Sequence, residues 1–193
     1  EQATWLMGSI SSATMDETSA IVKGANNAAL SNLSVSNTGG GQNSIGIYTT
    51  GLNLTARLQQ LSVYAKGGEG NLGVLNYGSS PMMTGLNIAV EGTGTQSNFG
   101  IVNYSSSSPT IIGVNVLVWG GDAVLGIYNY SSSVPVIDGA NVFALGGATT
   151  NVGIFNSVSN DVKIRRSTIS GTSYGLYNAS GSTNTRVSQS TLI

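Results

Sequence analysis

The chain has 193 residues, 8% of them charged, a net charge of −1, and neither His nor Cys. That is enough chain for one domain, and its charge balance gives no electrostatic reason to expect nucleic acid or an anionic membrane as partner. Without Cys there are no disulfides or thiolate metal sites, no apolar run approaches the length of a membrane span, and no metal or cofactor site is expected.

Residues 1–18 fit no repeat. Trp5, Leu6, Met7 and Ile10 there read either as an N-terminal cap over the exposed core or as a partial first rung. From residue 19 to 193 the chain repeats. Six segments place a Gly in the same apolar setting: Ile45-Gly46-Ile47-Tyr48, Leu72-Gly73-Val74-Leu75, Phe99-Gly100-Ile101-Val102, Leu125-Gly126-Ile127-Tyr128, Val152-Gly153-Ile154-Phe155 and Tyr174-Gly175-Leu176-Tyr177. The glycines are spaced 27, 27, 26, 27 and 22 residues apart. A fixed period in that range is the mark of a repeat architecture. The segments are short, β-branched and aromatic, and are bounded by Ser, Gly and Pro, so they read as strands. Residues 98–121 serve as the ruler: one strand through Phe99 and Tyr104, a second from Thr110 to Ile112, a bend at Gly113, a third from Val114 to Trp119, and a turn at Gly120-Gly121. Three short strands per period describe one rung of a parallel β-helix, stacked on the next at about 4.8 Å. The fold class is all-β, a parallel β-helix solenoid of about seven rungs.

Alternation along the strands assigns the faces. In the first strand Phe99 and Ile101 are expected inward and Val102 outward; in the third, Val114, Val116 and Val118 inward, Asn115, Leu117 and Trp119 outward. Three apolar columns then run down the stack: Ile47, Val74, Ile101, Ile127, Ile154, Leu176; Leu30, Leu58, Met83, Ile111, Ile137, Ile164, Val187; and Val35, Val63, Ile88, Val116, Val142, Ile169, Leu192. Asn76, Asn103, Asn129, Asn156 and Asn178 form a further column. It reads as a structural amide ladder at strand-end turns, or as a row of ligand-binding amides. Asn32, Asn53, Asn103, Asn129 and Asn178 also head glycosylation triplets, which the repeat itself generates. The last rung ends on apolar Thr191-Leu192-Ile193, which implies a cap in adjacent sequence or in another molecule.

Charged residues pair across rungs, Lys66 beside Glu91 and Asp138 beside Arg165. Both pairs are expected at the surface and worth under about 1 kcal/mol, with Arg165-Arg166 a solvated edge. For catalysis the chain offers little. The outward positions of the first sheet are expected to hold Gly, Tyr, Leu, Val and Phe, none of them a carboxylate acid or base. Glu69 and Asp122 share a turn position two rungs apart, about 10 Å by strand spacing. They read as solvated turn carboxylates, with an acid–base pair the weaker alternative. No catalytic residue is assigned.

The Gly-Ile-Tyr-Asn-Tyr-Ser-Ser-Ser segment at 126–133, followed by Pro and two further strands, resembles the right-handed parallel β-helix of the pectin-lyase-like superfamily. It is similar in particular to repeats of uncharacterised secreted or surface-associated bacterial proteins. The resemblance covers residues 19–193 and implies the fold and its right hand. It does not imply one activity, because this fold hosts lyases, hydrolases, adhesins and inert shafts.

The informative outward residues are apolar. Tyr64, Leu117, Trp119, Phe143 and Leu145 form a patch on the third sheet. Tyr48, Tyr128, Phe155 and Tyr177, with Tyr104 and Tyr130 at the following turn, form a candidate glycan face on the first. A contiguous apolar patch usually marks a contact: with the chain's own termini, with a partner or a second copy, or with sugar rings. The reading that results is a non-enzymatic extracellular or cell-surface protein of bacterial type, structural or adhesive, with itself or cell-surface material as partner and self-assembly into a fibre as its bolder form. The alternative is a carbohydrate-binding or polysaccharide-active β-helix. The chain begins at Glu1 and carries no signal peptide, consistent with a processed chain or a fragment.

Overall fold

The computed structural model describes residues 4–51, 53 and 55–193. It is a parallel β-solenoid of about seven coils, with a single short 3-10 turn at Glu17–Ser19 among the described residues. Three parallel sheets run its length, two of seven strands and one of eight. The central coil shows the plan: Asn98–Tyr104 in the first sheet, Thr110–Ile112 in the second, Asn115–Gly120 in the third.

Like residues sit on like. Ile47, Val74, Ile101, Ile127, Ile154 and Leu176 are successive register partners, and so are the members of the other two expected columns. Most are fully buried and merge into one core along the axis. Each such Ile, Leu or Val contributes about 1.5–3 kcal/mol on leaving water. A single coil has no second layer to bury these side chains against, so stability comes from stacking. In the third strand Val114, Val116 and Val118 face in and Asn115 and Leu117 face out, as the alternation requires.

The first strand departs from the expected pattern. The repeated Gly faces the interior, not solvent. A Cβ added to Gly126 would lie 2.2 Å from Val142 Cγ1, and one on Gly100 2.2 Å from Val116 Cγ1. The residue after each Gly also faces in, so two neighbours share one side and the alternation breaks there, as it does at a bulge. The residue before the Gly is thereby turned outward: Phe99 stacks on outward Tyr128 and packs with Val102 and Leu75. The glycines are needed because the third-sheet column presses onto the first sheet's backbone at this point.

The corner between second and third strands uses one left-handed residue in every coil: Asn32, Gln60, Gly85, Gly113, Gly139, Arg166 and Gln189 all have φ between 47° and 63°. Glycine adopts this conformation without penalty; other residues are strained there.

Thr4–Gly8 adds an eighth strand to the third sheet, pairing with Leu33–Asn37. The chain then crosses to the first sheet, where Ser12 bridges Asn43 antiparallel and Glu17–Ser19 packs on Asn43–Thr50.

Two glycine replacements separate space from backbone conformation. Gly113 has no atom within 4 Å of an added Cβ but a φ of 58°. Gly113→Ala should therefore cost about 1–2 kcal/mol of unfolding free energy in urea, the left-handed penalty alone. Gly126→Ala should cost about 3 kcal/mol by overpacking against Val142 and against the Gly153 carbonyl, 2.5 Å from the added Cβ. The Gly126→Ala/Val142→Ala double variant should lose less than the sum of the two single losses, as contacting sites are not additive, while the contact with the Gly153 carbonyl keeps it below the parent.

Candidate functional site

The third sheet's outer face carries an open groove of about 760 Å³. It crosses six strands, from Thr4–Gly8 to Asn141–Leu145. One side is a polar column, Ser34, Ser62, Asn87, Asn115 and Asn141, ended by Trp5 in register with Ser34. The other is Ser36, Tyr64, Ala89, Leu117 and Phe143. Of the five residues expected to form the apolar patch, Leu117 and Leu145 are exposed, at 41% and 37%, and Tyr64, Trp119 and Phe143 half-buried. Tyr64, Leu117 and Phe143 line the groove. Trp119 and Leu145 are register partners in the next column.

Sequence reasoning missed two contributors. Trp5, 59% exposed, joins the groove because residues 4–8 form a strand. The Asn column is a hydrogen-bonded ladder: Asn115 Nδ2 donates to Asn87 Oδ1 at 2.8 Å and Asn141 Nδ2 to Asn115 Oδ1 at 2.9 Å. Its signal was present, an Asn two residues after each of Gly85, Gly113 and Gly139.

Beside the groove, Lys66 and Glu91 are register partners but do not form the expected ion pair. The Tyr64 hydroxyl donates to Glu91 Oε2, and the Lys66 ammonium lies 5.5 Å from the Tyr64 ring centroid, a cation–π placement. Burial, then the hydrogen bond and charge of Glu91, push the Tyr64 phenol up to about 12. The second expected pair is also different. Asp138 is buried, and Arg165 Nη2 (3.1 Å), Arg166 Nε (2.9 Å) and Arg166 Nη2 (2.5 Å) all donate to it. The doublet is thus an ion-pair clamp in which two exposed arginines hold one buried carboxylate.

On the first sheet the aromatics form one connected array. Ring centroids are 5.2 Å apart for Tyr77–Tyr104 and Tyr104–Tyr130, 5.7 Å for Tyr128–Tyr130, 5.4 Å for Tyr128–Phe155 and 5.1 Å for Phe155–Tyr177. Tyr104 and Tyr130 are within 10° of parallel. Ring faces are thus largely occupied by other rings. Tyr48 is buried, 7% exposed, under this packing, whereas Tyr104, Tyr128, Tyr130 and Phe155 are half-buried and Tyr177 exposed. A pocket of about 290 Å³ opens among Tyr77, Phe99, Tyr104, Tyr128 and Tyr130, with Met15 of the crossing segment at its rim.

The inner Asn column is structural. Asn76, Asn103, Asn129 and Asn156 are fully buried. Each Nδ2 donates to the next Oδ1 at 2.7–2.8 Å, ending on Asn178, and Thr49 Oγ1 donates to Asn76 Oδ1 at 2.6 Å. No ligand reaches these amides, and the buried side chains of Asn103 and Asn129 are not glycan acceptors. At the turn that holds Glu69 and Asp122, Gln96 occupies the intervening coil and donates to Glu69 at 3.0 Å.

Comparison with protein-family models, curated proteins and solved structures found no match. The functional reading therefore rests on these faces.

Asn129→Ala should cost about 2–5 kcal/mol in urea unfolding, because it orphans the buried Asn103 donor and Asn156 acceptor; Asn115→Ala, in the exposed ladder, should cost under about 1 kcal/mol. Ultraviolet phenolate titration should show Tyr64 ionising near pH 12, and Glu91→Gln should lower its pKa while leaving it above 10, since burial is the larger cause. The raised pKa favours the neutral phenol in the folded chain. Its stability contribution is therefore complete below pH 10 and lost as pH rises to about 12, a loss absent in Tyr64→Phe.

Proposed function

We propose that this chain is a non-enzymatic structural or adhesive β-solenoid, extracellular or at the cell surface, that works through lateral contact of its third sheet with a second copy of itself. The observation that carries the reading is the outer face of that sheet. Leu117 and Leu145 are exposed there, Tyr64, Trp119 and Phe143 are half-buried around them, and Trp5 stands exposed at the far end of the groove beyond Ser34 and Ser62. Contiguous apolar surface on a regular sheet favours flush packing against another sheet, at about 10 Å. The low charge of the chain, 8%, leaves little to oppose such association. Three-sheeted coils with a short second strand support placing the fold in the right-handed, pectin-lyase-like group. Glu69, held by Gln96 and two coils from Asp122, supports a role without acid–base chemistry.

A second reading is carbohydrate binding on the first sheet. The pocket among Tyr77, Phe99, Tyr104, Tyr128 and Tyr130 favours it, because aromatic walls with hydroxyl tips suit sugar rings. Mutual stacking of the rings weighs against it.

Sedimentation equilibrium from micromolar to millimolar protein decides between them. Self-association that rises with concentration and is lost in Leu117→Ser/Leu145→Ser is the expected result, with electron microscopy showing side-by-side rods. A monomer throughout that range refutes lateral assembly. Glycan-array binding that is lost in Tyr128→Ala and Phe155→Ala would then install the second reading.

A further inference from the structure

The net charge of −1 hides a separation along the chain. Residues 1–137 hold three cations and six acids; residues 138–193 hold four cations, Lys163, Arg165, Arg166 and Arg186, and two acids, Asp138 and Asp161. The solenoid brings three of these cations onto one outer face of the second sheet. Lys163 and Arg186 are register partners on neighbouring strands, about 4.8 Å apart. Arg165 lies two residues along the same strand as Lys163, on the same side, since Ile164 between them is buried in the core. Like charges directly opposite destabilise a strand pair. Of the three, only Arg165 meets a counter-charge, Asp138, which it shares with Arg166; Lys163, Arg186 and Asp161 form no ion pair among the described residues.

We infer that Lys163, Arg165 and Arg186 form a binding site for a sulfate or phosphate group. With Val136 and Ser188 they line an open concavity of about 450 Å³. Asp138 accepts one of the two Nη2 hydrogens of Arg165 at 3.1 Å and so orients the guanidinium, while the other Nη2 hydrogen, with Nε or Nη1 beside it, leaves one two-donor edge without an acceptor among the described residues. Guanidinium groups pair with tetrahedral oxyanions through two parallel N–H donors, and the Lys163 ammonium adds a compact charge beside them. The Ser188 hydroxyl supplies a neutral donor. The open side lets the group belong to a larger molecule. This site is on a different sheet from the apolar groove and stands whether or not that groove self-associates.

Sodium sulfate, sodium phosphate and a sulfated disaccharide, each titrated at constant ionic strength against sodium chloride, test the site by amide and guanidinium NMR. The expected result is a saturable shift confined to Lys163, Arg165, Arg186 and Ser188. Lys163→Gln/Arg186→Gln should weaken it by about tenfold or more, and Arg57→Gln, on the same sheet near the other end, should leave it unchanged. Circular dichroism confirms the fold of each variant; should the double variant unfold, Lys163→Gln alone carries the comparison. Tighter binding of the disaccharide than of free sulfate assigns the group to a sulfated glycan, and equal binding assigns it to a free ion. Shifts no larger than those from chloride, or unchanged in the substituted protein, overturn the site.

Discussion

The coil closes because the third sheet touches the backbone of the first. Val63, Ile88, Val116, Val142 and Ile169 each press a methyl group into the place where a side chain of the facing strand would be. Only a residue without a Cβ admits that contact. The same Gly turns its predecessor outward and lets its successor join the core, so one atom's absence sets both faces of the first sheet. The inward Ile column is satisfied on one side, and on the other an outward layer of Leu, Phe and Tyr is created that must find its own partners.

Polar groups inside the coil obey the same axial logic. A buried amide needs both a donor and an acceptor, and a parallel stack provides them by repetition. Asn129 receives from the coil before and gives to the coil after. Ser107 and Ser133 do likewise at the next turn, taking the backbone N–H of Ser79 and Ser107. Ionic pairs are a poor substitute, because a charge cannot repeat along the axis without meeting its like. The single buried carboxylate among the described residues, Asp138, is held by two arginines from the following coil.

The axial columns were legible in the sequence because stacking makes identity repeat: wherever Ile, Val or Asn recurs at the period, the register follows. What failed was reasoning about single strands. Period-two alternation carried Phe99 inward because nothing in the pattern announces that Gly100 breaks it. Tyr48 was expected at the surface because its burial depends on packing with Leu75 and on the layer around it. Lys66 and Glu91 were correctly placed as neighbours, yet Tyr64, one coil from Glu91 and two residues from Lys66, competes for both. These are contacts between columns, and a repeat encodes columns far more plainly than it encodes what lies between them. The groove shows the same division. Leu117 and Phe143 could be read from alternation, while Trp5 could not, since residues 4–8 share no period with the rest.

The three faces now differ in what they leave unsatisfied. On the first sheet the rings consume one another's surfaces, so its aromatic content overstates what is free to bind. On the third sheet Leu117 and Leu145 stand exposed beside an amide ladder whose hydrogen bonds are already internal. That face has apolar area to bury on one side of the groove, while the Ser and Asn column on the other keeps exposed donors and acceptors that a partner must also satisfy. The second sheet has the opposite character near its last coils, where four cations share the single paired carboxylate of Asp138. A rod with one greasy side and one basic end presents two chemically distinct surfaces, and the solenoid keeps them on separate sheets. Contact through one therefore need not cover the other, which is the physical ground for keeping the proposals of lateral association and of oxyanion binding separate.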